Sequence, residues 1–187
     1  MNIFVTSPDP LRCAINLDNR RVIKMILESA QILSTNIRYL YDKYKYLHDC
    51  EITKDGVNSL YKTTHINHPC TVWARDNLGN HRWLVEHLGH LLDEYTYRYG
   101  KTHKTTSIAK SIRKINIDKL ITIISSEEIK FVNCSAHKAE NVFVSYQLTM
   151  IDKWESDKAK GYTPNWTKRS MPDFYNAYLR DIILTDI

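Results

Sequence analysis

The sequence predicts an all-α fold, a helical bundle formed by one domain over residues 1–187. Apolar residues recur at the helical period over several long segments. Only 5 glycines and 5 prolines are present, so turn signals are few and long helices are favoured over many short strands. A hydrophobic content of 43% is typical of a globular protein, and 187 residues are enough to bury a core.

The predicted elements follow in order along the chain. Residues 2–5 form either a short strand or an extended arm, and residues 6–10 form a turn with helix-start chemistry. Helices are predicted over residues 11–16, 19–46, 81–99, 102–125, 136–160 and 172–184, and a further helix begins at His68-Pro69. Gly100 ends the helix over 81–99, since glycine adopts a left-handed conformation at least cost. Residues 48–64 predict a loop, and residues 126–135 a connection with an extended piece at 130–132.

Two of these helices carry a stripe of strongly hydrogen-bonding side chains beside an ordinary apolar face. At 100° per residue, the stripe of the helix over 81–99 spans an arc of roughly 80°. It consists of Trp83, His87, His90, Glu94, Arg98 and Lys101. The stripe of the helix over 19–46 consists of Arg21, Lys24, Glu28, Gln31, Thr35 and Arg38. Each stripe is either the polar rim of an amphipathic helix or one wall of a functional cleft.

Charge and composition narrow the classes of partner. The net charge of +5 and the 12 tyrosines, many beside basic residues, suit DNA or another phosphorylated ligand. The four cysteines form no CxxC pair, and the chain has no Walker loop and no GxGxxG motif. We therefore predict no metal site and no bound cofactor. Without a signal peptide or an apolar run of membrane-spanning length, we expect a cytoplasmic protein with no membrane partner.

Anion binding combined with acid–base chemistry is the activity that these residues favour. Glu28 and Glu94 are the carboxylates of the two stripes, and His68 and His87 are the histidines that accompany them. Cations beside these groups can bind a phosphate: Lys24, Arg75, Arg98, Lys101, His103 and Lys104. The competing interpretation is that Glu94 and Arg98, four residues apart, form a helix-stabilising ion pair.

Three segments resemble a family of small proteins from tailed phages. They read MNIFVTSPDP, RRVIKMILESAQILST and THINHPCTVWARDNLGNHRWLVEHLGHLLDEYTYRYGKTHK. Within such proteins, the chain resembles the alpha-glutamyl/putrescinyl-thymine pyrophosphorylases. That resemblance implies an enzyme of the infected host's cytoplasm that transfers an amino acid or polyamine to a phosphorylated 5-hydroxymethyl pyrimidine in DNA, with loss of pyrophosphate. The cations would then bind the pyrophosphate, Glu28 or Glu94 would activate the amine, and Trp83 or Tyr97 would stack on an extruded base.

The chain also resembles the phage pyrimidine-dimer glycosylase, another small helical protein. That enzyme has a catalytic glutamate seven residues after a histidine, and it uses an amino-terminal amine as its nucleophile. Here Glu28 keeps the spacing, but Arg21 stands where the histidine would be. Because Asn2 is too large for efficient removal of the initiator methionine, the resemblance implies the amine of Met1. A glycosylase is therefore the second hypothesis, and a non-catalytic protein that binds nucleic acid, a nucleotide or a host protein is the third.

Overall fold

A computed structural model of the chain describes residues 2–46, 52–115, 117 and 127–185. All regular structure in this part of the chain is helical, which confirms the predicted all-α class. The described helices are α1 (Pro10–Asn16), α2 (Asn19–Tyr44), α3 (Lys54–Asn58), α4 (Pro69–Asp76), α5 (Leu78–Tyr99), α6 (Thr106–Lys114), α7 (Val142–Ala159) and α8 (Asp173–Thr185). None of them is long and apolar enough to cross a lipid bilayer.

Capping side chains set the helix boundaries, and they explain where the predicted boundaries are wrong. Helix α5 starts three residues earlier than predicted, because the Asn77 side chain accepts a hydrogen bond from the N–H of Asn80 at 2.7 Å. Asn141 caps α7 in the same way, so that helix begins six residues later than predicted. Gly100 ends α5 with φ 64°, as expected. The short α3, capped by Thr53, lies in the predicted loop.

The predicted helix over 102–125 is represented by α6, which is shorter at both ends. Residues 116 and 118–125 of that prediction lie outside the described residues.

Helix α5 lies at the centre of the packing and contacts α1, α2, α4 and α6. Helix α2 packs beside it and also contacts α3, α4 and α6, while α7 contacts α8. The apolar faces of these helices form one buried cluster, and Trp154, Tyr146 and Tyr175 are the largest fully buried side chains. The two helices that carry the polar stripes are therefore neighbours, which leaves open what each stripe contacts.

The amino-terminal segment is an extended arm rather than a strand. Residues 3–6 are buried, and no described residues pair with them in a sheet. Phe4 has a φ of 46°, and its carbonyl accepts a hydrogen bond from the N–H of Thr6 at 2.8 Å. The Gln147 side chain of α7 donates to the Thr6 carbonyl at 3.0 Å. The arm is thus fixed along its length within the core.

Candidate active site

The arm brings the beginning of the chain to the middle of α2. The backbone N–H of Asn2 donates a hydrogen bond to Oε2 of Glu28 at 2.8 Å. The Asn2 side chain turns back and accepts from the N–H groups of Ile3 and Phe4, which fixes the local backbone. A carboxylate 26 residues further along the sequence therefore lies beside the second residue of the chain.

Glu28 is the carboxylate of this site. Its side chain is 14% exposed, so it is shielded on most sides but still reaches solvent. Its second oxygen, Oε1, lies 3.5 Å from Nζ of Lys24, one helical turn earlier. A partly shielded carboxylate beside one N–H donor and one cation can accept a proton from a group that enters from solvent, and it can later return that proton.

His68 lies at the start of α4, close to the same carboxylate. Its Nδ1 atom accepts a hydrogen bond from the N–H of Cys70 at 3.2 Å and so caps the helix. The preceding loop is fixed to α2, because the hydroxyl of Thr35 contacts the N–H and the carbonyl of Thr64. Burial lowers the pKa of His68, and the positive charges of the amino terminus and of His65 lower it further. The negative charge of Glu28 acts in the opposite direction and raises this pKa. His68, Glu28 and the amino terminus therefore interact electrostatically.

Trp83 and His87, in the α5 stripe, fasten the segment that leads into α1. The indole N–H of Trp83 donates to the Pro8 carbonyl at 2.7 Å, and Nδ1 of His87 lies 3.0 Å from the Pro10 carbonyl. The two rings stack with their centres 5.0 Å apart, and Trp83 is only 2% exposed. Burial lowers the pKa of His87 to about 4, so its ring is neutral at pH 7. Neither side chain presents a face to solvent that could stack on a base or exchange a proton with a substrate.

Glu94 and Arg98 form a buried ion pair at the other end of the stripe. Nε of Arg98 lies 2.7 Å from Oε1 of Glu94, and Arg169 contacts the second carboxylate oxygen at 2.8 Å. Arg98 also donates to the carbonyls of Ile15 and Leu17. These carbonyls belong to the last turn and the C-cap of α1, where a helix leaves its carbonyls without a helical partner. Burial raises the pKa of Glu94, but the hydrogen bonds from the two arginines outweigh it and the net shift is downward.

The two stripes do not share a ligand between Glu28 and Arg98. Arg98 contacts Asn19 at the first turn of α2, at 3.2 Å. Glu28 lies nine residues further along that helix, which corresponds to about 13 Å at 1.5 Å per residue. Glu28 and its neighbours therefore form the candidate site, and Glu94, Arg98, Trp83 and His87 are part of the interior that holds α1.

A comparison with family models agrees with this geometry. Residues 1–107, more than half of the chain, match the model described as pyrimidine dimer DNA glycosylase. The chain belongs to this family. No curated protein and no solved structure shows a significant match. The matched residues include the amino-terminal arm, Glu28, His68 and the whole of α5.

Membership of the pyrimidine dimer DNA glycosylase family corrects the first of the two resemblances. The match supports the glycosylase resemblance and gives no support to the thymine pyrophosphorylase resemblance. Arg21, which occupies the position of the glycosylase histidine, is buried between Asp18 and Asp157 at 3.0 and 2.9 Å. That side chain is therefore a structural cation, and His68, at the N-cap of α4, is a histidine whose pKa the charge of Glu28 raises.

The remaining candidate cations lie apart from Glu28. Arg75 donates to the Ile66 carbonyl and stacks on the Tyr39 ring at 4.7 Å. Burial lowers the pKa of His103, and its Nδ1 atom accepts a hydrogen bond from the N–H of Thr105.

The other candidates lie at the surface. Lys101 and Lys104 are exposed after the end of α5. Tyr97 is 47% exposed, and its ring lies beneath the guanidinium of Arg169 at 4.3 Å. Within the described residues, no hydrogen bond or ion pair joins these groups to Glu28.

Lys24 is the phosphate-binding candidate that the structure does bring to Glu28. Two further cations near it, Arg20 and Lys153, were not among the candidates from the sequence. Arg20 precedes the α2 stripe by one residue and falls within its arc, so extending the stripe by one residue would have included it. Lys153 comes from α7, more than a hundred residues away, and no local pattern relates it to Glu28.

Proposed function

We propose that this protein is a DNA glycosylase that removes a damaged or modified pyrimidine. The amine at the beginning of the chain is the nucleophile, and Glu28 is the acid–base group. The observation that carries the proposal is the 2.8 Å hydrogen bond from the Asn2 backbone N–H to Glu28. The buried arm holds the start of the chain beside a carboxylate that is 14% exposed, and membership of the family supports the same chemistry.

An α-amino group suits this role better than a lysine. Its ordinary pKa is about 7.7 to 8.0, against about 10.4 for lysine, so a sizeable fraction is neutral and nucleophilic at pH 7. The neutral amine forms a bond to C1′ of the nucleotide while the bond from C1′ to the pyrimidine N1 breaks. The departing base keeps the electron pair and takes up a proton from solvent water.

Glu28 transfers protons in the steps that follow. The ammonium formed on C1′ loses a proton to the carboxylate. The same carboxyl group returns that proton to O4′ as the sugar ring opens to the imine. His68, with its lowered pKa, is neutral beside these groups and adds no charge that would oppose the cationic imine. We therefore give His68 a positioning role and Glu28 the catalytic one.

The transferase hypothesis has no comparable observation in its favour. It needs free cations for a pyrophosphate group, and two of its arginines already donate to backbone carbonyls. A non-catalytic DNA-binding protein remains distinguishable by experiment, since it would bind damaged DNA without forming a covalent adduct.

The first test is trapping of the imine. The full chain is incubated with a duplex that contains a cyclobutane pyrimidine dimer, borohydride is added, and the adduct is mapped by mass spectrometry. We expect a covalent adduct on the amino-terminal residue, and the intact mass shows whether Met1 is retained. Binding without an adduct would support the non-catalytic alternative, and an adduct on a lysine would exclude the amino-terminal nucleophile.

The second test is the Glu28→Gln substitution. We expect the single-turnover rate to fall about 10²- to 10⁴-fold, as for loss of a general acid–base group. Stability should change by less than about 1 kcal/mol, because the glutamine oxygen still accepts the Asn2 hydrogen bond and the ion pair to Lys24 lies near the surface. Glu86→Gln, at an exposed carboxylate of α5, is the matched control and should be fully active. A fully active Glu28→Gln enzyme would remove Glu28 from the mechanism.

A further inference from the structure

A groove with a strong positive bias lies next to Glu28. It has a volume of about 200 Å³ and is lined by Phe4, Arg20, Arg21, Lys24, Lys153 and Asp157. At ~30 Å³ for each water in the liquid, this is room for about six water molecules. The groove can therefore hold one phosphodiester group together with bridging water.

Not all of the cations in the groove are available to a ligand. Arg21 is already neutralised by Asp157 and by Asp18, at 2.9 and 3.0 Å. Arg20 is 62% exposed and lies 3.6 Å from Asp157, which it shares with Arg21. Lys153 is exposed, and no ion pair joins it to any residue that the structure describes. Arg20, Lys24 and Lys153 therefore retain donors that a single anion can use.

The groove is also placed at the proposed reaction centre. Nζ of Lys24 lies 3.5 Å from Glu28, so an anion bound by this lysine is one contact away from the carboxylate. Nζ of Lys153 lies 5.8 Å from the centre of the Phe4 ring, two residues after Asn2. The charge of Lys153 thus lies near the arm at the beginning of the chain, and α7 contacts the same arm through Gln147.

We propose that this groove binds a backbone phosphate of the DNA strand beside the reacting nucleotide, with Lys153 as a ligand supplied by α7. The inference rests on the proposed glycosylase function and extends it. Helix α7 lies outside residues 1–107, so the part of the chain that the family model does not match completes the site. A phosphate fixed between α2 and α7 holds the sugar of the next nucleotide against the arm, where C1′ can meet the amine.

The role of Lys153 is tested by the salt dependence of DNA binding. We expect Lys153→Met to weaken binding several-fold, and equally for damaged and undamaged duplexes. The slope of log K against log salt should become shallower by about 0.9, the value for one lost phosphate contact. Lys153→Arg should restore both the affinity and the slope. Lys110→Met, which removes an exposed lysine of α6 outside the groove, is the matched control and should change neither.

The measurement is fluorescence anisotropy in the Glu28→Gln background, so that binding is observed without turnover. An unchanged slope for Lys153→Met would overturn the inference and would leave the adduct and Glu28 tests unaffected. Failure of those two tests, with the slope change present, would instead refute the glycosylase and leave a phosphate-binding groove. Binding of millimolar inorganic phosphate that Lys153→Met abolishes, but that leaves DNA affinity unchanged at constant ionic strength, would indicate a site for free phosphate and would overturn the assignment to DNA.

Discussion

Substitution of Arg98 by methionine tests whether this residue of the α5 stripe stabilises the fold or binds a ligand. The guanidinium is fully buried and contacts Glu94, the carbonyls of Ile15 and Leu17, and the side chain of Asn19. Methionine retains most of the apolar volume but none of these hydrogen bonds. The carbonyls at the C-terminal end of α1 then lose this donor, and Glu94 keeps the ion pair to Arg169.

The cost of this substitution follows from what is left unpaired. Removing one partner of a buried ion pair typically costs about 3 to 5 kcal/mol. Arg169 continues to neutralise Glu94 and is 31% exposed, so its ion pair persists in the variant. We therefore expect a loss near the lower end of that range, about 3 kcal/mol. This is a large fraction of the roughly 5 to 15 kcal/mol by which a typical domain is stable.

Urea unfolding followed by circular dichroism measures the loss. The double variant Arg98→Met with Glu94→Leu removes both charges and should be less destabilised than the single variant, because no uncompensated carboxylate stays buried. Lys101→Met, at an exposed cation one turn later, is the control and should change stability by less than about 0.5 kcal/mol. A stable Arg98→Met protein with weakened DNA binding would show that Arg98 contacts the ligand and would refute the structural role.

Three other residues give equally direct predictions. The pKa of His87 is about 4 in the folded protein, against an ordinary value of 6.5, so between these pH values this residue is protonated mainly in the unfolded chain. We therefore expect the free energy of unfolding to fall by up to about 3 kcal/mol from pH 6.5 to pH 4. Urea unfolding of both proteins across that range should show that His87→Gln lacks this component. A Cβ at Gly79 would lie 2.3 Å from the carbonyl oxygen of Glu127, so Gly79→Ala should cost more than about 1 kcal/mol. A Cβ at Gly89 would contact only the flexible end of the Arg113 side chain, so Gly89→Ala should be neutral or stabilising. Thermal melting measures both variants, and equal changes in stability at the two glycines would contradict this account.

The helices themselves were predictable because the interactions that start and stop them are local. The boundaries of α1, the start of α4 at His68-Pro69 and the end of α5 at Gly100 agree with the sequence signals. The errors arose where a polar residue had two possible roles. Asn77 precedes the predicted helix over 81–99, although its side chain caps α5, and Thr53 lies in the predicted loop, although it caps α3.

The candidate site was only half predictable. Glu28 and Lys24 stand four residues apart on one helix, and that spacing is enough to bring them together. The α5 stripe was ambiguous, because a side chain that can bind a phosphate oxygen binds a backbone carbonyl equally well. Arg98 and His87 contact carbonyls of the segment at α1 instead of a ligand, and no periodicity in α5 could have indicated that partner.

By itself the sequence determined the all-helical class, most of the helix boundaries and the stripe that carries Glu28. Only the tertiary structure decided that the arm brings Asn2 to Glu28 and that α7 brings Lys153 to the same place. Helical period and capping act over a few residues, so the sequence displays them directly. Contacts between residues 26 or more than a hundred positions apart depend on how the apolar faces pack, because that packing fixes which polar side chains are left to meet.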